Sequence, residues 1–403
     1  VDRATRETKR SWLTPGVLGI GLASFLADTG HEIPTAILPS FLTATLGAPA
    51  AVLGLIEGLA DGAAGGARLL GGALADDPER RRRVAAGGYI GTALLAALIG
   101  LTGAVWQAAL LRIAAWTTRG LRVPPRNALL ADVTEPATYG RAYGFERAMD
   151  NLGAIAGPLL ALLLVILVGA RGAMLLSVVP GLLAAGAILY AIRQIPRPRT
   201  RQRQPLHLRL RPVLHGRLGR LMVGVATFEL GHAAATLLIL RATTVLEPSS
   251  GYELAVRLAL GLYIGYNVVA TVVSVPAGRA GDRWGAPSVL LVGVIAFLLA
   301  YLGFAVAGGL ALLALSFLLA GAGIGLVETA EHAAVAALAP AQMRGSAFGV
   351  LAATQGFGQL VASALAGVLW TAVSPQAAFG YLAVLSLLAI VGVGAALTHR
   401  GES

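Results

Sequence analysis

The 403-residue chain contains no cysteine, which excludes disulfides and thiolate metal ligands. Charge is scarce as well. Asp, Glu, Lys and Arg make up 13% of residues against 56% hydrophobic, and the mean hydropathy is +0.75. Aromatic residues are only 6%, too few for a large greasy ligand pocket. There is no nucleophile motif, phosphate loop or cofactor fingerprint, so neither an enzyme nor a cofactor is implied.

What is present is a succession of long apolar stretches. A membrane span needs about 20 mostly apolar residues, and twelve spans with short loops take up nearly the whole length. The first apolar run is too long for a signal-peptide core. Glycine is abundant, at 52 residues, and mixed with alanine, as expected where membrane helices pack closely. The expectation is an all-α membrane protein of twelve transmembrane helices.

The charges divide these twelve stretches. The third, sixth, ninth and twelfth (roughly residues 84–103, 172–191, 288–307 and 377–398) carry essentially none inside. Four others hold ionisable residues: Asp28, His31 and Glu32; Glu57, Asp61 and Arg68; Glu229 and His232; Glu328, Glu331 and His332. A charge in hydrocarbon costs several kcal/mol, so such residues face a bundle interior or a wet cavity. Every third helix is therefore expected against lipid, and the others around a polar path for a solute.

The net charge of +11 does not point to nucleic acid. The basic residues fall before span 1 (Arg3, Arg6, Lys9, Arg10), after span 2 (Arg80 to Arg83) and after span 4 (Arg119, Arg122, Arg126). They recur from Arg193 through Arg220, at Arg279 and Arg283, at Arg344 and at Arg400. The alternate loops are almost uncharged, apart from Arg171, Glu247, Glu253 and Arg257. By the positive-inside rule both termini are cytoplasmic.

The Pro-rich basic stretch from Gln194 to Pro205 reads as a cytoplasmic linker. It divides the chain into an N-terminal six-helix bundle (1–193), a linker (194–217) and a C-terminal six-helix bundle (218–403). The halves repeat one another at an offset of about 205 residues. Gly72-Ala-Leu-Ala-Asp76 aligns with Gly278-Arg-Ala-Gly-Asp282, and Gly140-Arg-Ala-Tyr-Gly144 with Gly345-Ser-Ala-Phe-Gly349. Asp28-Thr-Gly-His31 aligns with Glu229-Leu-Gly-His232. Parallel repeats of this kind place a substrate site at their interface, near mid-membrane.

With these motifs the sequence resembles the major facilitator superfamily over essentially its full length. The stretch from Gly72 through Asp76 to Arg80 and Arg83 is similar to that family's signature loop. The second copy, Gly278 through Asp282 and Arg283, fits the pattern better, because Asp77 and Glu79 replace a usual basic residue and a usual glycine. Gly153-Ala-Ile-Ala-Gly157-Pro158 resembles a motif of antiporter branches; its plainer reading is small-residue packing with a proline kink. The stretches from Arg119 to Asp132 and from Tyr143 to Asp150 resemble a bacterial branch whose members mostly lack an assigned substrate. The resemblance implies a two-half, pseudo-symmetric fold, alternating access and residence in the bacterial inner membrane.

Asp28 and His31, like Glu229 and His232, stand three apart and share one face of a helix. The two pairs are expected to face one another across the central cavity, with Pro34 and Gly30 bending span 1. Three readings stand side by side. The pairs can hold the halves together as ion pairs. They can carry an exchanged proton, since imidazole changes charge near neutral pH. Or Asp28, His31, Glu229 and His232 can bind a divalent transition metal, as in ferroportin-type exporters, to which they bear a local resemblance. Glu328, Glu331 and His332 form a second acidic cluster. Arg126 matches Glu331 in the repeat, so an Arg126–Glu331 salt bridge is one candidate for an inner gate. The other reading is that both snorkel to the aqueous rim. Arg112 is the expected countercharge of Glu57 and Asp61, whose places in the second half are taken by Tyr263 and Asn267. An arginine at the place of Arg112 is often linked to proton coupling in that family. Asp150 with Arg147 reads as a structural pair. The expected protein is a monomer that exports a small organic solute by proton antiport. A divalent-metal exporter is the alternative, and a non-transporting membrane sensor a more distant one.

Overall fold

The computed structural model describes residues 11–195, 207 and 209–398. Arg3 to Arg10, most of the Pro-rich linker and Arg400 lie outside them. Among the described residues the chain is helical throughout, with no strand.

α1 (Pro15–Ser40) opens with two strong start signals. The Thr14 side chain accepts from the Val17 N–H at 3.2 Å, and Pro15 takes the first helical position. The helix runs unbroken through Pro34 into a π-helical turn, Phe41–Thr45. α2 (Ala50–Ala75) and α3 (Pro78–Leu98) meet at a tight corner. Here the departures from the signature loop acquire a reason. Asp77 caps α3, accepting from the N–H groups of Glu79 (2.9 Å) and Arg80 (3.1 Å), and Glu79 pairs with Arg83 one turn on. α4 (Val105–Asp132) carries Pro124 and Pro125 within it. α5 (Tyr139–Leu176) is broken at Gly169, whose φ of 73° only glycine adopts readily; the residues after it lead into α6 (Val178–Arg193).

After the short α7 (Leu210–Val213) come α8 (Gly216–Glu229) and α9 (Ala235–Ser250), separated by the non-helical Leu230–Ala234. Backbone groups freed in that gap find side-chain partners. Tyr381 donates to the Leu230 carbonyl (3.0 Å), and Ser363 Oγ accepts from the Ala234 N–H (2.9 Å). Broken membrane helices persist where neighbours restore such bonds. Span 1, where the bend is expected, runs on as continuous helix; the break lies in its counterpart in the second half. α10 (Tyr252–Trp284), α11 (Ala286–Val306), α12 (Leu310–Leu338), α13 (Arg344–Ala372) and α14 (Pro375–Thr398) complete the chain.

By length and composition, seven of the described helical stretches can cross a membrane: 78–101, 136–193, 252–284, 286–306, 310–338, 341–372 and 375–392. The stretch 136–193 has 58 residues, about 87 Å of helix and enough for two crossings, and it breaks at Gly169. The twelve expected crossings further require the charge-bearing α1, α2 and α4, and α8 with α9 taken as one.

α1 packs on α5 and α6, and α4 on α2 and α3. In the second half α12 packs on α10 and α11, and α14 on α8, α11 and α13. Two seams join these groups, α5 against α10 and α2 against α13. The charge-free helices turn apolar side chains outward: Leu94 and Leu98 on α3, Leu183 on α6, Val292 and Leu299 on α11, Val384 and Leu388 on α14. Such faces are stable against lipid and unfavourable against water.

Candidate functional site

Both seams close at the same end of the bundle, and both close the same way. Asp76, at the end of α2, accepts from the N–H (2.9 Å) and Oγ (2.5 Å) of Ser346 at the start of α13. Asp282, at the end of α10, accepts from the Gly140 N–H and Arg141 Nε at the start of α5, each at 2.7 Å. Each aspartate puts negative charge on the unpaired N–H groups of a helix start in the other half. Burial raises the Asp76 carboxyl above its ordinary range, while the Ser346 hydrogen bonds pull it back. Glycine makes the contact possible. A methyl at Gly278 would stand 2.5 Å from the Gly140 carbonyl carbon, and one at Gly72 would stand 2.8 Å from the Gly349 Cα. So the first repeated motif of each half docks on the second repeated motif of the other. Arg81, read from sequence as a topology signal, is buried here and pairs with Asp132.

Above this seal lies an ionic floor. Glu146 is fully buried and receives Arg126 Nη1 (2.9 Å), Arg147 Nε (2.7 Å), Arg147 Nη2 (2.9 Å) and Ser24 Oγ (2.6 Å). Asp150 accepts from the same Nη1 of Arg126 and pairs with Nη1 of Arg147, each at 3.2 Å. The expected Arg126–Glu331 bridge is not formed. Arg126 is engaged within its own half by Glu146 and Asp150, which outcompete a partner across the seam. Glu331 instead accepts from Gln355 Nε2 at 2.8 Å. The ion pair that crosses between halves in this layer is Arg147–Glu328, at 3.7 Å.

On the floor sits a cavity of about 280 Å³. The first half contributes Asp28, Arg68, Arg119, Arg122, Arg126, Arg147 and Asp150; the second contributes Glu229, His232, Glu328, His332, Gln355 and Gln359. The arginines all come from one half. Away from the seal the α2–α13 seam parts. A Cβ on Gly65 would stand 3.1 Å from Phe357, whereas one on Gly62, Gly58 or Gly54 would meet no atom of a neighbouring helix within 4 Å among the described residues.

The acid–histidine pairs are placed less symmetrically than their spacing predicts. Glu229 and His232 both line the cavity, with Glu229 Oε2 3.1 Å from His232 Nδ1, although His232 sits in the gap after α8 and not on its helix. Asp28 lines the cavity, 3.3 Å from His31 and 3.9 Å from Arg122. His31 turns away, edge-on to Trp116 and 3.3 Å from Glu32. Among the described residues no group of three or more His, Asp or Glu side chains converges as a metal site requires. Asp28, His31, Glu229 and His232 are thus two separate pairs, not one ligand set.

Arg112 holds Glu57 with two hydrogen bonds (3.1 and 2.8 Å), bonds Thr35 (3.1 Å) and stacks on Trp116, whose indole N–H donates to Asp61 at 3.1 Å. This cluster stands toward the parted end, outside the cavity. Among the described residues the Asn267 side chain bonds back to the Tyr263 carbonyl of its own helix. Gly153 and Gly157 of α5 receive α1 against Asp28 and Glu32, with Pro158 just beyond, so this motif has a packing role. Arg80 and Arg283 lie at the sealed end, Arg80 3.9 Å from Asp77 and Arg283 near Trp284.

Sequence reasoning placed Arg68 among the interior charges but missed Arg119, Arg122, Arg147 and Asp150 as cavity residues. It put Arg119, Arg122 and Arg126 after span 4, but α4 continues to Asp132 and buries Arg122 and Arg126. The arginines fitted a topology signal, whereas α4 runs on through Pro124 and Pro125. The arginine spacing of three and four, one face of a helix, was the available clue.

Two packed groups of membrane helices around a polar cavity, sealed at one end and parted at the other, define a multi-pass membrane transporter. The family model of the Major Facilitator Superfamily matches residues 20–265 and 251–403, and the chain belongs to that superfamily. It is 30% identical over 382 residues to the uncharacterized MFS-type transporter MJ1317 of Methanocaldococcus jannaschii, covering 93% of each chain. Its fold is similar to that of a bacterial homologue of the iron transporter ferroportin in an outward-facing state (TM-score 0.76, 17% identity, 95% and 99% covered). It is also similar to the human organic anion transporter MFSD10 (TM-score 0.73, 16% identity, 94% and 99% covered).

Proposed function

We propose that the protein is a monomeric secondary transporter of the bacterial inner membrane that exports a small organic solute in exchange for protons, by alternating access. The observation that carries this reading is the pair of matched seals at one end of a cavity whose other end is parted. If both seals release together and the parted helices close, the same cavity faces the opposite side. With the basic loops on the cytoplasmic face, both termini and the sealed end are cytoplasmic and the cavity opens outward. The export direction rests on the likeness of Gly153–Pro158 to antiporter motifs.

Proton exchange is assigned to Asp28 and to the Glu229–His232 pair, which meet solute and water in the cavity. Antiport requires that proton and solute occupy the cavity alternately and not together. The test is proton movement in proteoliposomes carrying a pH-sensitive dye, driven by a solute gradient. Asp28→Asn is expected to abolish proton-coupled flux while leaving folded protein. Undiminished coupled flux in that variant would refute the assignment.

A further inference from the structure

The first half supplies five arginines and two acids to the cavity lining, and the second half adds Glu229 and Glu328. Two of the five are already engaged, since Arg126 and Arg147 are shared between Glu146 and Asp150. Among the described residues none of the other three has an acid closer than 3.9 Å. Arg122 is 2% exposed; its Nε and Nη1 donate to no group among the described residues, and its nearest acid is 3.9 Å away. Its guanidinium lies over the Tyr89 ring, 4.1 Å from the centroid, which fixes the plane and leaves one edge free. The buried Nε of Arg119 is also unpartnered, and no acid comes within 4 Å of Arg119 among the described residues. Arg68 reaches in from α2 and spends one N–H on the Ala352 carbonyl, at 3.0 Å.

A buried donor without an acceptor is costly, and a buried cation without a counter-ion more so. A neutral solute leaves that cost in place. The planar guanidinium fork matches two oxygens of a carboxylate or phosphate, and it binds them by charge-assisted hydrogen bonds. The cavity volume of about 280 Å³ lies at the low end for small-molecule sites, which fits a metabolite-sized solute. The opposite wall, with Gln355, Gln359 and Glu229, offers hydrogen bonds to a polar remainder.

Resting on the transport reading above, we propose that the solute is a small organic oxyanion, a carboxylate or a phosphate ester, whose charge is held by Arg119, Arg122 and Arg68. The carboxylate and phosphate cases share this recognition and are separated by the probes below.

The test combines binding with flux. Purified protein is titrated with succinate, glycerol 3-phosphate, inorganic phosphate, succinamide, glycerol and choline at matched ionic strength, and the melting temperature is read. The same solutes are then offered to proteoliposomes. The expected result is saturable stabilisation and flux with succinate or with glycerol 3-phosphate, and none with the neutral or cationic compounds. Arg119→Gln, with a monodisperse folded product, should weaken the affinity about tenfold or more. Arg119→Lys, which keeps charge and loses the fork, should recover only part of it. Stabilisation by inorganic phosphate alone, without flux, means an adventitious anion and overturns the proposal. Flux of a neutral or cationic solute that persists in Arg119→Gln overturns it and leaves the transport reading standing. Saturable oxyanion binding without flux of any solute upholds the site and removes the transport reading. No response to any probe, in binding or flux, overturns both.

Discussion

Glu146 shows how much one side chain carries at the residue scale. It is fully buried and is the common partner of Arg126 and Arg147. Removing one member of such a group strands buried charge, at about 3–5 kcal/mol. Glu146→Gln is therefore expected to lower the melting temperature sharply, and a variant as stable as the parent would contradict the account of the floor. Arg112→Lys keeps a charge near Glu57 but loses the two-pronged contact and the stacking on Trp116. It should cost roughly 1–2 kcal/mol, read as a downward shift of the same melting curve. The acids of the cavity were legible because a carboxylate stands out in an apolar run, as Asp28, Glu229 and Glu328 do. Most of the arginines were not, because the same residue type also marks the cytoplasmic ends of spans. Arg119 and Arg122 were absorbed into that pattern.

At the scale of the element, the seams repeat one device, a glycine-lined crossing ended by an aspartate on a helix start. The repeated motifs were visible in sequence as copies. Their exchange, each half's first motif on the other half's second, was not, because repeat alignment carries no information on which copies touch. The gap at Leu230–Ala234 was likewise hidden: Gly231 lies in an apolar run that reads as continuous helix, and Ser363 and Tyr381, which satisfy its backbone, are distant in sequence. Gly278→Val places a branched side chain into the Gly140 backbone and should force the sealed end apart. The absence of native cysteine gives a clean readout. Ala347→Cys, buried near the sealed end, should react slowly with a water-soluble maleimide in the parent background and much faster with Gly278→Val. Equal rates would mean that the Gly140–Gly278 approach does not hold the seal.

For the molecule as a whole, fold class followed from composition, charge-free spans and the repeat. The charge asymmetry of the cavity, cationic in one half and acidic in the other, emerged only when the chain was folded, since it joins α2, α4 and α5 to α8, α12 and α13. The central claim is that sealed and parted ends exchange roles. Its most direct measurement is a pair of interspin distances by pulsed electron spin resonance, one across each end. Labels replace the exposed Leu55 and Val368 at the parted end, and Arg83 and Gln342 at the sealed end. The account predicts that, under a proton gradient with solute, a second population appears in which the first distance shortens and the second lengthens. Distances that stay fixed at both ends while flux proceeds would contradict it.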